Sequence, residues 1–451
     1  MREIIPNSLF SLAQNAPKPL YVVGGSVRDY LAQLSSSAAR DWDICAPMPP
    51  ETLAELANEL GFTVKAVYKN TGTVKLQDRE NREYEYTSFR SDKYVRGVHA
   101  PSEIYFTDDI ELDARRRDFT CNAVYYDVKN ATFIDPLNGI SAIREKRLTT
   151  VAISEKVFGE DGLRLMRLAR QAAQLGFTPD EECLRGAQKN AALIQDITPE
   201  RIYAELCAIL RADEKYGVQE GHYHGLALLE KTGVLAYILP ELALGKHMAQ
   251  RADFHDHDVL EHSFRAALYA PARVRLAALL HDVGKPYCTL RDGNSHDHPI
   301  EGKTLTTRIL QRLKAPKKTI EQVGALVEWH MYDFNCQTSE NKLRRFFVRN
   351  YAILEDLLAL KQADFSACKD DLSTAPTCAR WQALLQKMKA QNVPFSLKEL
   401  AVNGNDLLAL GVTPSHISGV LHALLLHTAV LPQDNEKKRL CKLAKGFENT
   451  L

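Results

Sequence analysis

The periodicity of the chain changes once, near residue 150, and that change limits its fold more than any other feature. Before it, short runs of strand-forming residues recur: "LYVV", "WDIC", "GTVKL", "EYEYTSF" and "NAVYYDV". They alternate with helix-period segments such as "PETLAELANEL", which has Pro50 at its start and Gly61 just past its end. From Glu160 onward nearly every segment repeats its apolar residues at three- and four-residue steps. The expected fold class is therefore α+β, a mixed α/β head followed by helices only. Expected boundaries divide the chain into a head (1–150), a helical neck (151–250), a His/Asp-rich helical domain (251–372) and a helical tail (373–451). An apolar fraction of 45% over 451 residues is enough for several ordinary cores.

Lys and Arg number 57, and so do Asp and Glu, so only local clusters of charge can report on a polyanionic partner. Nine cysteines without a CxxC pair fit a reducing compartment and argue against a disulfide framework. No stretch approaches a membrane span, and the first residues lack the apolar core of a leader. A cytoplasmic protein with no membrane partner is expected.

Asp41 and Asp43 stand at i and i+2 in "DWDIC". On a strand both carboxylates point to one face. Two such acids are most often simply solvated, but a hard cation such as Mg²⁺ removes their repulsion and also takes phosphate oxygen. Upstream, a strand ends in Gly24-Gly25-Ser26 and a helix begins, leaving N–H groups suited to phosphate. Arg28, one turn along, adds a forked donor. A phosphate cradle beside a metal-binding pair is what nucleotidyl transfer needs. A third acid is expected on an adjacent strand. Glu85 is the first choice and Glu83 its competitor, since both share a strand face.

The stretch "EDGLRLMRLARQ" reads as a helix on which Asp161 and Arg164, at i and i+3, share a face. Asp161 only accepts hydrogen bonds and Arg164 only donates. Cytosine and adenine each show an amino donor beside a ring acceptor, so one Asp/Arg pair matches both. Uracil and guanine present the reverse pattern and are mismatched. Glu160, four residues before Arg164, is placed to hold its fork, and Arg167 and Arg170 continue the stripe at three-residue steps. The commoner meaning of such spacing is a surface ion-pair helix.

The ordered set "GGSVRD", "DWD", "YEYTSFR", "RRRDFTCNA", "DPLNGI" and "EDGLRLMRLARQAAQLGF", over about residues 20–178, resembles the head of the class II tRNA nucleotidyltransferases. These are the CCA-adding enzymes, with poly(A) polymerases as their relatives. The resemblance implies a polymerase-beta-like nucleotidyltransferase head and addition of CMP and AMP, from CTP and ATP, to a tRNA 3′ end without a template. It implies that Asp161, Arg164, Arg167 and Arg170 bind the incoming nucleotide, and that Arg117 and Asp118 contact its ribose and triphosphate. The segment between Arg90 and Asp118 is long enough for the loop that switches the family from C to A. "SSSAA" lengthens the first helix region, Ala142-Ile143 replaces Asp-Leu, and Gln171 replaces Phe; the last two are expected to bear on packing. Enzymes adding only A or only CC, and poly(A) polymerases, share these motifs.

A second ordered set, "DVLEHSF", "LLHDVGKP", "HDHPIEG", "VEWHM" and "LLALKQADFSA", resembles the HD phosphohydrolase domain. It implies a first metal site of His262, His281, Asp282 and Asp364 and a second involving His298 and His330. Mixed imidazole and carboxylate donors suit Ni²⁺, Mn²⁺ or Fe rather than Mg²⁺ alone. Lys285 is placed to meet a phosphate, and His255, His257 and His296 are alternative ligands or surface residues. An RNA-binding HD phosphohydrolase with an inactive head is the rival from another class. The basic "EKKRLCKLAKG" of the tail is suited to an RNA backbone.

Overall fold

The computed structural model describes residues 1–34, 42–94, 102–250, 253 and 256–448. The chain clusters into two compact units. One holds Met1–Ala243 with Arg312–Ala315, the other Leu244–Gln311 with Pro316–Leu451.

The first unit begins with the sheet that the sequence leads one to expect. Its strands are β1 (Tyr21–Val23), β2 (Trp42–Ala46), β3 (Thr63–Tyr68), β4 (Thr73–Gln77) and β5 (Glu83–Ser88). After β6 (Arg90–Lys93) and β7 (Glu103–Phe106), which pair only with each other, come β8 (Tyr125–Asp127) and β9 (Thr132–Ile134). The seven-stranded order is β3-β4-β5-β2-β1-β8-β9. All pairs are antiparallel except β2 with β5. This mixed sheet is the α+β head expected, with β3 and β9 added; the Val and Tyr of β3 alternate with Lys65 and sit half exposed at a sheet edge.

Alternation sets which side chains reach the site. In β5, Tyr84, Tyr86 and Ser88 are buried while Glu83 and Glu85 face outward. In β2, Trp42 and Ile44 are buried and Asp43 is exposed. The helix Pro50–Glu59, opened by its proline and followed by Gly61 at φ +84°, packs on β3 and β4. On the other face Val23, Cys45, Phe89 and Tyr125 form a closed core cluster.

From Ser154 on, apart from the two-residue strand Thr178–Pro179, which pairs in parallel with Arg147–Leu148, the unit is built of helices. Leu163–Leu175 packs against Pro199–Leu210 and Gly221–Lys231, and its Arg164, Arg167 and Arg170 line the cleft described below. Among its described residues the second unit has no strand. His262 lies on Val259–Tyr269, His281 and Asp282 follow Arg275–Leu280, and His298 opens the helix His298–Arg312. His330 closes Lys317–Trp329, and Asp364 lies on the long helix Tyr351–Lys369.

Candidate active site

The first unit holds a cleft of about 730 Å³. It brings together Gly24, Gly25, Ser26, Arg28, Asp43, Arg117, Asp118, Asp161, Arg164, Arg167 and Arg170. Asp41 lies outside the described residues. Nine lining residues are Arg or Lys and five are Asp or Glu, so the cleft favours a polyanion although the whole chain is neutral.

Gly24 leaves β1 at φ +77°, a conformation that costs a side chain dearly, and turns the chain into Gly25–Leu31. A Cβ at Gly24 would come 3.0 Å from Asp43 Oδ2. Glycine therefore leaves room for that carboxylate at the cleft. A carboxylate oxygen that lines the cleft fits a hard divalent cation. Glu85 stands in register with Asp43 across the parallel β2–β5 pair, exposed, with Lys75 at 3.8 Å. It is not among the residues lining the cleft.

The arginines are held by acids. Arg28 donates to Asp29 at 2.6 Å and to Asn122 at 2.8 Å, and the Tyr216 hydroxyl donates to Asp29 at 2.5 Å. Arg116 and Arg117 share the buried Asp113, at 2.7 and 2.9 Å, and the Tyr125 hydroxyl donates to it at 2.7 Å. Burial works to raise the Asp113 pKa; Arg117 and Arg116 outweigh it and lower it to about 2. Arg170 donates to Glu205 at 2.6 Å.

Asp118 is the most heavily used acid. Its Oδ1 accepts from Phe119 N and Asn122 Nδ2, and its Oδ2 accepts from Arg167 Nε, Arg167 Nη2 and Gln171 Nε2. Burial opposes its charge, yet Arg167 and these donors hold its pKa well below the ordinary carboxylate range. A carboxylate offers about four acceptor sites, so Asp118 is saturated and acts as the seat of Arg167. Gln171 corrects an expectation: it also accepts from Asn122 at 3.1 Å and lines the cleft, so its exchange for Phe bears on the polar network as well as on packing.

The segment that carries Asp161 and Arg164 is not one helix. One helix, Ser154–Glu160, stops before Asp161, which is extended at φ −146°, and Leu163–Leu175 starts after it. Between them Gly162 passes so close to the neighbouring turn that a Cβ would meet Leu193 O at 2.4 Å. Asp161 and Arg164 nevertheless line one cleft. Glu160 accepts from Arg164 Nη1 at 3.0 Å, alongside Val157 O at 2.9 Å, and Arg116 O accepts from Arg164 Nη2 at 2.7 Å. Three of five guanidinium N–H groups are thereby used, leaving Nε–H and one Nη2–H as an unspent edge. Tyr94 stacks on the guanidinium at 5.7 Å.

Sequence reasoning missed Asp29, Asp113, Arg116, Asn122, Arg201, Arg211, Lys215 and Tyr216. Asp29 ends "GGSVRD", Arg116 and Asn122 lie in "RRRDFTCNA", and Asp113 stands three and four residues before Arg116 and Arg117; Arg201, Arg211, Lys215 and Tyr216 had no such local signal.

In the second unit the six expected side chains converge. His262 Nε2 lies 3.0 Å from Asp364 Oδ1 and 3.2 Å from His281 Nε2. Asp282 spans two groups: Oδ2 lies 3.2 Å from His281, and Oδ1 lies 3.3 Å from His298 and 3.7 Å from His330. His298 and His330 approach each other at 3.2 Å through Nε2. The Nδ1 atoms of His281, His298 and His330 each face the carbonyl three residues back, at 2.7, 2.6 and 2.6 Å. That contact directs every Nε2 inward, the arrangement a metal-ligating histidine needs. Burial opposes charge on His281, but Asp282 and Asp364 outweigh it and raise its pKa to about 10, whereas burial holds His330 down at about 4. A divalent cation would take the place of such a proton. The donor set therefore fits one or two divalent ions, with Asp282 as the shared carboxylate. Lys285 meets Asp282 at 2.6 Å and Gln250 at 2.7 Å. His257 faces Asp370 at 3.7 Å, His296 is exposed, and His255 lies outside the described residues.

A glycine turn, a carboxylate on a strand of a mixed sheet and an arginine-lined cleft define a nucleotidyltransferase head, and the His/Asp centre defines an HD-type unit. Comparison with known proteins agrees. Residues 20–149 match the poly A polymerase head domain, 176–244 the probable RNA and SrmB-binding site of polymerase A, and 258–361 the HD domain. The A-adding tRNA nucleotidyltransferase of Deinococcus radiodurans is 31% identical over 90% of this chain and 91% of its own. The CCA-adding enzyme of Geobacillus kaustophilus is 29% identical over 93% and 91%. The crystal structure of the Bacillus stearothermophilus CCA-adding enzyme in complex with CTP superposes with a TM-score of 0.69 at 25% identity, covering 99% of each chain. The chain belongs to the tRNA nucleotidyltransferase family, in the form that carries an HD domain.

Proposed function

We propose that this protein adds CMP and AMP to the 3′ end of tRNA, building CCA without a nucleic-acid template. The observation that carries the reading is the single cleft in which Asp43, the Gly24 turn, Arg117, Asp161 and Arg164 meet. The tRNA 3′-OH attacks the α-phosphate of CTP or ATP, the bond to the β-phosphate breaks, and pyrophosphate leaves. Asp43, with Asp41 and Glu85 as the further acids, would hold Mg²⁺. When bound, Mg²⁺ lowers the cost of the attacking alkoxide and neutralises the leaving pyrophosphate. Gly25, Ser26 and Arg28 receive the triphosphate, joined by Arg117 and Arg170. Arg167, seated on Asp118, meets the ribose and phosphates. Asp161 accepts from the exocyclic amine of C or A, and the free edge of Arg164 donates to the ring nitrogen.

In the second unit we assign Ni²⁺, Mn²⁺ or Fe to the His/Asp centre and hydrolysis of a phosphate ester at a tRNA end as its reaction. The reading puts the enzyme in the cytoplasm, in keeping with nine free cysteines; no described helix is long and apolar enough to cross a membrane. The four-part division into head, neck, HD domain and tail stands as part of the proposal.

A second reading, addition of A alone to tRNA already ending in CC, is favoured by the name of the Deinococcus relative. The test is incubation of the pure protein with tRNA transcripts ending before CCA or after CC, with CTP, ATP or both, followed by sequencing of the ends. Growth of the shorter transcript to CCA supports the first reading. Growth of only the CC transcript, with ATP, replaces it by the second.

A further inference from the structure

We propose that Cys368 is a ligand of the second unit's metal centre, which would then present a thiolate beside imidazole and carboxylate. The proposal rests on the reading of His262, His281, Asp282 and Asp364 as a metal site. Asp364 and Cys368 stand four residues apart on Tyr351–Lys369, and so on one face of that helix. The ligand atoms of His262, Asp364 and Cys368 all lie within 4.8 Å of one another. Among the described residues Cys368 is the only cysteine in such a group. Ligand bonds of about 2.0–2.3 Å put two donors of a tetrahedral ion roughly 3.3–3.8 Å apart, so side chains that lie within 4.8 Å of one another would draw together by about 1 Å at most to close on a cation.

The thiol is half-buried and donates to Asp364 O at 3.4 Å. On ligation the S–H bond breaks, the proton leaves to solvent and a sulfur–metal bond forms, with no electron transferred. Sulfur also changes which ion the site prefers. Thiolate favours Zn²⁺, Co²⁺ and Fe²⁺ over the harder Mn²⁺ and Mg²⁺, whereas a centre of imidazole and carboxylate alone is more permissive. The i and i+4 spacing of an acid and a cysteine is thus a specificity device that the HD motif itself does not require.

The full-length protein, stripped of metal by chelation, would be titrated with Co²⁺ while its absorption is followed, with bound cobalt counted by equilibrium dialysis. A thiolate-to-cobalt charge-transfer band in the near ultraviolet is expected in the wild type. It should vanish in Cys368→Ser while the visible cobalt bands persist. Zn²⁺ affinity should fall about tenfold or more in Cys368→Ser, with Mn²⁺ affinity changing far less. His281→Ala with Asp282→Ala serves as the control that removes the centre. Bound cobalt without the band, or a band unchanged in Cys368→Ser, overturns the role of Cys368 and leaves the metal centre standing. Equal cobalt in the wild type and the control overturns the centre itself.

Discussion

Four arginines of the first unit's cleft are held by side-chain carboxylates; three histidines of the second unit's centre are held by backbone carbonyls. Arg28, Arg117, Arg167 and Arg170 each rest on a carboxylate, at Asp29, Asp113, Asp118 and Glu205. Such pairs keep a guanidinium aimed while leaving part of its fork for phosphate or base. The imidazoles of His281, His298 and His330 are instead pinned by main chain three residues back. Side-chain partners, which leave part of each guanidinium open, suit a site that takes nucleotides and a lengthening 3′ end. Fixed main-chain partners suit a site whose ligand is an ion of constant size.

The largest expected effect falls on the open site. Asp43→Ala should lower nucleotide addition by at least about a thousandfold, the equivalent of about 4 kcal/mol of transition-state stabilisation. The readout is extension of a tRNA transcript lacking CCA. Metal content of the second unit should not change. Near-normal extension would remove Asp43 from the reaction.

The next tests whether the two sites are separable. His281→Ala with Asp282→Ala should abolish metal-dependent hydrolysis of 2′,3′-cyclic or terminal phosphate by the protein. Extension of the transcript should survive in the same preparation. Loss of both activities together would mean that the centre holds the fold of the chain, and the contrast between the sites would fail.

What was legible in the sequence follows the same division. The Gly24 turn and Asp43 were readable because their chemistry is local: a positive φ and a strand period leave a signature within a few residues. His262, His281, Asp282, His298, His330 and Asp364 were readable as an ordered motif, and their helices bring them together as the motif implies. The break at Asp161 was not: the close neighbour of Gly162 beside it, Leu193 O, lies some thirty residues on in the chain. Arg201, Arg211, Lys215 and Tyr216 reach the cleft only through packing of the later helices. Gln171 looked like a packing change because its helix period is apolar, yet its partners Asn122 and Asp118 lie about fifty residues earlier.

A smaller effect is expected at the proposed base reader. Arg164 keeps two donors after serving Val157, Glu160 and Arg116. Arg164→Ala should cost about 1–3 kcal/mol per lost base contact, or roughly tenfold to a hundredfold in kcat/KM for both CTP and ATP. Asp161→Arg presents a donor where uracil and guanine carry a carbonyl, so preference should move toward UTP or GTP even at low activity. Relative kcat/KM for the four nucleotides is the measurement. If all four fall by one factor, the pair holds the segment and does not read the base.

The smallest expected effect concerns an acid that touches no substrate. Asp113 is fully buried beneath Arg116, Arg117 and the Tyr125 hydroxyl, and its pKa is lowered to about 2. A group whose folded pKa lies below its unfolded value adds stability above the unfolded pKa and loses it as pH falls toward the folded one. Asp113 therefore contributes fully above about pH 4 and ceases to contribute near pH 2. Asp113→Asn keeps the shape and the hydroxyl contact but removes the charge. Its acid-unfolding curve should be flatter than the wild-type curve in that window, by at most about 1.4 kcal/mol per pH unit, the slope of one proton. Above pH 5 the two stabilities should differ by a constant. At neutral pH the variant should bind CTP and ATP more weakly, because Arg117 loses the carboxylate that aims it. Parallel acid limbs for the two proteins would show that Asp113 titrates normally, and unchanged nucleotide binding would show that Tyr125 aims Arg117 without it.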